Sequence, residues 1–137
     1  MASSIRKVDY FYTMVPNRAG QAAKILAGLA AADVALVAFS GFPAGKGSQL
    51  DLVPADSAKL RSAARKMGIK LSKRKSGFLV QGDDRVGALT RIASALAVAK
   101  INITAIDAVT AGKGRFGAIF WVKQAAVAKA ARLLRAR

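Results

Sequence analysis

The chain repeats itself. Residues 11–67 lie over residues 78–134 at a constant offset of 67, without a gap, and 16 of the 57 pairs are identical. A period of this length means one supersecondary unit used twice, and that constrains the fold more than any single motif does. The identities fall where geometry is demanding. Arg18 and Gly20 match Arg85 and Gly87, and the run Ala44 to Gly47 matches Ala111 to Gly114. Ile25, Leu29 and Ala32 match Ile92, Leu96 and Ala99, the spacing of one helical face.

Each copy shows the same succession of periodicities. Val8 to Val15 alternates aromatic and β-branched residues and is expected as a strand ended by Pro16 and Asn17, with Gly77 to Gln81 as its copy. A helix follows over about 20–32, carrying Ala22, Ile25, Leu29 and Ala32 on one face; Leu89, Ile92, Leu96 and Ala99 repeat that face. The period then changes to two, with Val34, Leu36 and Ala38 matched by Ile101, Ile103 and Ala105. Glycine-bearing turns at 43–47 and 110–114 lead into third strands at 49–53 and 116–122. A second helix starts near Asp56, a residue suited to capping, and stops at Gly68. Its apolar face of Leu60, Ala63, Ala64 and Met67 is matched by Val127, Ala130, Ala131 and Leu134.

Ile69 to Leu71 supplies a fourth strand in the first copy, whereas the second copy reaches Arg137 with no room for one. The fold class is therefore α+β: two tandem ferredoxin-like βαββαβ modules, 1–72 and 73–137, each an antiparallel sheet with helices on one face, the second lacking its last strand. That gap leaves Phe78 to Gln81 with unpaired backbone groups. Another part of the chain or a second chain must cover them, and the expected assembly is a homodimer.

Composition narrows the chemistry. Among 137 residues there is no cysteine, histidine or glutamate, and all seven acidic residues are aspartates. Disulfides and zinc-thiolate sites are excluded, and the commonest general base and metal ligand are missing, so an enzyme, a cofactor and a metal centre are not expected. No apolar run approaches the roughly 18 residues of a membrane span, and the start lacks the apolar centre of a secretory signal; a cytoplasmic protein is expected. The apolar fraction of 53% suffices for a shared core.

The junction between first strand and first helix carries the most information. It reads Pro16-Asn17-Arg18-Ala19-Gly20 in one copy and Asp83-Asp84-Arg85-Val86-Gly87 in the other. Glycine permits a sharp turn and close approach of a ligand, and the free N–H groups of a helix start favour an anion. An Asn or Asp there can cap the helix or accept a hydrogen bond from a ligand ammonium group.

The stretch from Asp84 to Leu96, followed by Ile101-Asn102-Ile103, closely resembles the ACT domain, whose pattern is an acidic residue or Asn, a Pro-Gly, a helix with Leu/Ile spacing and an Asn-Ile strand. The first copy matches more loosely through Asn17, Gly20, Ile25, Leu29 and the strand at Val34. The resemblance implies a free-standing regulator or sensor that binds a small ligand, an amino acid by family habit, and acts on an associated enzyme. Carried over by position, Asn17, Arg18, Ala19 and Gly20, and Asp84, Arg85, Val86 and Gly87, would form the ligand loops. Asn102 would contribute from the strand, where its counterpart is Ala35. Ala19 and Val86 stand where the family carries proline.

The net charge of +16 raises nucleic acid as an alternative partner. Lys113 to Phe120 bears a partial likeness to the third-strand signature of the RNA-recognition motif, although Arg115 intrudes and the first copy has no aromatic residue there. Lys73-Arg74-Lys75 is a compact cationic run where phosphate or an acidic partner could dock.

Overall fold

The computed structural model describes residues 4–137 and divides them into two compact units. One is Asp9–Lys75; the other joins Ser76–Arg137 to the beginning of the first strand, up to Val8.

In the first unit β1 (Ser4–Pro16, from Asp9 onward), α1 (Gln21–Ala31), β2 (Leu36–Ala44), β3 (Gly47–Pro54) and α2 (Ser57–Met67) follow in the expected order. β3 pairs antiparallel with β1 and β2, Phe11 facing Leu52 and Phe39 facing Leu52 from the other side. Phe11, Leu50 and Leu52 project to one face of this sheet and meet Ile25, Leu29 and Leu60 of the two helices. Period two on the strands and 3.6 on the helices aim these side chains at one another. Asp56 caps α2 as expected, accepting the N–H of Ala58 at 3.0 Å and of Lys59 at 3.2 Å, and Gly68 closes it in the left-handed conformation. Ile69 to Leu71 takes the place of a fourth strand, joined to β1 mainly through side chains. Thr13 Oγ1 donates to the Lys70 carbonyl, and the Tyr12 N–H donates to Ser72 Oγ. Hydroxyls thus stand in for part of a regular backbone ladder.

The second unit contains β4 (Lys75–Asp83), α3 (Thr90–Val98), β5 (Ile103–Gly112), β6 (Arg115–Val122), a short 3-10 turn (Gln124–Ala126) and α4 (Val127–Leu134). β6 pairs antiparallel with β4 and β5. Its core is more aromatic: Phe78 and Phe120 stack at 5.1 Å over Val80, Ile92, Leu96 and Ala130. The edge of β4 expected to lack a partner has β1 as its neighbour, and the Ser4–Val8 stretch of β1 belongs to this unit. Ile5 packs on the unit's core, and Arg137 exchanges backbone hydrogen bonds with Ile5 and Lys7. The chain thus covers this edge with its own first strand.

Among the residues that the helical and strand periodicities place on matched faces of the two copies, Ile25, Leu29, Val34, Ile92, Leu96 and Ile101 are buried, while Leu36 and Ile103 are half-buried. Those two open the outer strands β2 and β5, each beside a register shift. The repeat extends to backbone conformation, since Asp33 and Lys100, 67 residues apart, both have φ of 60° after their helices. Among the described residues no helix is long and apolar enough to cross a membrane.

Candidate functional site

The two strand-to-helix loops turn on their glycines. Gly20 has φ of 92° and Gly87 of 76°, a region that L side chains rarely adopt. From there the copies diverge. α1 begins immediately after Gly20, whereas α3 begins only at Thr90, after a turn in which the Ala88 N–H donates to the Arg85 carbonyl and the Thr90 N–H to the Gly87 carbonyl. Neither helix receives a side-chain cap. Asn17 instead accepts a hydrogen bond from the Ser48 hydroxyl at 3.1 Å, and the Asp84 N–H donates to the Gly114 carbonyl at 2.8 Å. Capping is therefore not what these two residues do here.

In the second copy the loop borders a cavity of about 670 Å³. Asp83, Arg85, Val86 and Gly87 line it at the loop, Arg91, Ile92 and Ala95 along α3, and Leu133, Leu134 and Arg135 from the end of α4. The Asp83 carboxylate accepts from Arg115 Nη1 at 2.8 Å and from Arg85 Nη2 at 3.4 Å. This offsets the negative charge that two adjacent aspartates would otherwise turn toward a ligand. Val86 is fully exposed at its rim.

Of the expected site residues, Arg85, Val86 and Gly87 come together on this cavity, and Asp84 lies in the same loop. Asn102 is exposed and sits beyond the opposite end of α3, a helix of nine residues and so about 13 Å long. It does not line the cavity. Asn17, Arg18, Ala19 and Gly20 are exposed on the corresponding loop of the first unit. Arg91, Leu133 and Arg135 were not singled out by sequence reasoning, and Leu134 was named only as part of a helix's apolar face. The signal that could have found them is a position-by-position subtraction of the two copies, which sets Arg135 against Gly68 and Leu134 against Met67.

A smaller cavity of about 230 Å³ lies in the first unit between α2 and the strand region that follows it, lined by Phe11, Arg61, Ala64, Arg65, Ile69, Leu71 and Ser72. It is not the counterpart of the larger one. The aromatic residues behind the RNA-recognition likeness are core: Phe116 is 6% exposed and Phe120 is fully buried, so neither offers a base a stacking surface. The cations of α2 and the following segment, Lys59, Arg61, Arg65, Lys66, Lys70, Lys73 and Arg74, are exposed.

No protein-family model matches the chain, and no curated protein matches it. Solved structures do. Protein BT0572 from Bacteroides thetaiotaomicron superposes with a TM-score of 0.79 at 14% identity, over 97% of this chain and 88% of that one. The regulatory subunit of aspartate kinase from Thermus thermophilus, in its ligand-free form, superposes with a TM-score of 0.66 at 16% identity, over 98% and 95%. Aspartate kinase from Clostridium acetobutylicum matches with a TM-score of 0.57 at 17% identity, over 96% of this chain and 33% of that enzyme. The chain has the tandem ACT-like fold of the aspartate kinase regulatory subunit, and the resemblance read from Asp84 to Ile103 holds at the level of fold.

Proposed function

We propose that the chain is a non-catalytic regulator that binds a small ligand, an amino acid by its resemblance to ACT domains, and passes the binding on to an enzyme partner as a homodimer. The observation that carries this reading is the loop Asp83–Gly87 bordering a cavity of about 670 Å³, in a fold shared with regulatory subunits of aspartate kinase. The copies 1–72 and 73–137 would be the two ligand-binding modules. Asn17, Arg18, Ala19 and Gly20 would form one loop and Asp84, Arg85, Val86 and Gly87 the other, with Asn102 contributing from outside the cavity. The mechanism is linkage: a ligand bound better by one arrangement of the protein shifts the population toward it, and the partner responds to that shift.

A thermal-shift screen against the common amino acids tests this, because a ligand held only by the folded state raises the melting temperature by mass action. Asp84→Ala together with Asn17→Ala is expected to abolish the shift; an unchanged shift would place the site elsewhere. The exposed cations from Lys59 to Arg74 support a second reading, association with nucleic acid. That reading requires binding that weakens steeply with salt and saturates at a defined site size.

A further inference from the structure

The groove between α3 and α4 differs from its first-copy counterpart at three positions that act together. In the first unit Met67 lies on α1 at Gly28, so close that a Cβ there would collide with Met67 Cε and stand 3.0 Å from its sulfur. In the second unit Ala95 and Leu134 hold those two places, and both line the large cavity. The shorter, branched leucine does not reach across as the methionine does, and the space stays open. The third position closes each second helix. Gly68 has φ of 72° in the first unit, and its counterpart Arg135 adopts the same left-handed conformation with φ of 53°. A non-glycine residue is costly there, and the arginine it supplies lines the groove.

Charge and apolar surface are segregated within this groove. Ile92, Ala95 and Leu134 form an apolar floor, and Leu133 and Val86 leave apolar surface exposed at the edge. Arg85 is taken up by Asp83. Arg91 and Arg135 have no acidic partner within ion-pair distance among the described residues. Two uncommitted guanidinium groups beside an apolar floor attract an acid group and offer nothing to an ammonium. The volume falls within the range of roughly 300–1,000 Å³ usual for small-molecule sites.

We infer that the α3–α4 groove of the second copy binds a small organic anion, its carboxylate or phosphate held by Arg91 and Arg135 and its apolar body laid on Ile92, Ala95 and Leu134. This goes beyond the amino-acid reading, since the occupant carries no ammonium group and uses the helix face as well as the loop.

Calorimetric titration of the full chain tests it, with hexanoate and hexyl phosphate as the two sources of acid group, and hexanol, hexylammonium and inorganic phosphate as controls. Saturable one-to-one binding of hexanoate or hexyl phosphate is expected, the stronger of the two identifying the acid group, with hexanol and hexylammonium silent. Arg135→Gly installs the first copy's glycine, so the melting temperature of the free protein should hold or rise while affinity falls by about tenfold or more. Ala95→Gly with Leu134→Met transplants the first copy's plug and should abolish binding with every arginine in place. Leu134→Met alone, checked for fold by circular dichroism, serves if the double variant does not fold. Equal affinity for hexanol, inorganic phosphate binding as tightly as hexyl phosphate, or undiminished binding by Arg135→Gly or the plugged variant would each overturn the inference. Asp84→Ala with Asn17→Ala should leave hexanoate binding intact, so failure here is distinguishable from failure of the amino-acid reading.

Discussion

The two helix pairs, α1 on α2 and α3 on α4, descend from one template and now differ in how they are finished. α2 begins on the Asp56 side-chain cap and ends on Gly68, and Met67 fills the cleft against Gly28. α4 enters through a 3-10 turn with Ala126 at its start and no side-chain cap, ends on Arg135 in the left-handed region, and leaves a cavity against α3. Each feature of the first pair is one that stabilises a helix end or fills a void. Each departure in the second gives up some of that stabilisation, and two of them, Leu134 and Arg135, border the cavity. One copy is finished for stability and the other is left open.

The largest expected effect tests the cores beneath the two helix pairs. Phe120→Ala removes a fully buried ring from the stack with Phe78 and should cost about 3–5 kcal/mol in urea unfolding. The matching change, Leu52→Ala, should cost about 2–3 kcal/mol, since Leu52 faces Phe11 in the register in which Phe120 faces Phe78 and brings a smaller buried side chain to that position. Equal losses would mean that the aromatic core of the second unit carries no extra stability.

Gly28→Ala and Ala95→Gly then examine the cleft. In a Met67→Ala background the alanine at 28 should gain about 1 kcal/mol from helix propensity, whereas with Met67 present the gain should vanish or reverse as the thioether is displaced. Ala95→Gly should cost about 1 kcal/mol whether position 134 carries leucine or alanine. A denaturation cycle showing the same coupling at both clefts would break the comparison.

Capping comes next. Asp56→Ala should lose about 1 kcal/mol along with its two N–H partners. Asn17→Ala and Asp84→Ala should each change stability by less than about 0.5 kcal/mol, because neither side chain caps a helix. One effect appears only in alkali. Burial, then the nearby Asp51 carboxylate and Tyr12, push the Tyr10 hydroxyl from 10.0 to about 12. The unfolded chain therefore loses this proton first, so the contribution to stability is complete below pH 10 and declines as pH rises from 10 toward 12. A tyrosinate titration in which Tyr10 ionises at the pH of free tyrosine would contradict this.

Much of the fold was legible because both copies say the same thing. A helical stripe at Ile25 and Leu29, seen again at Ile92 and Leu96, leaves little freedom for a different element, and Asp56 and Gly68 are local signals that act through local backbone geometry. The loop glycines were legible for the same reason. The cavity was not, because it depends on how far Leu134 and Met67 reach across a helix pair, and periodicity records which face a residue occupies but not the space it fills.

By itself the sequence determined the duplication, the order of elements, the helix faces that meet the sheets, and the loops that turn at Gly20 and Gly87, all of them set by short-range sterics and by hydrophobic period. Only the tertiary structure decided that Ser4–Val8 joins the second unit, and that Tyr10, Asp51 and Val53, on the sheet face turned from the helices, are buried as deeply as the helix-facing core. It also decided that one cleft is plugged while the other is open. These depend on contacts between residues far apart in the chain, where side-chain length and volume govern the outcome and local pattern carries no information about either.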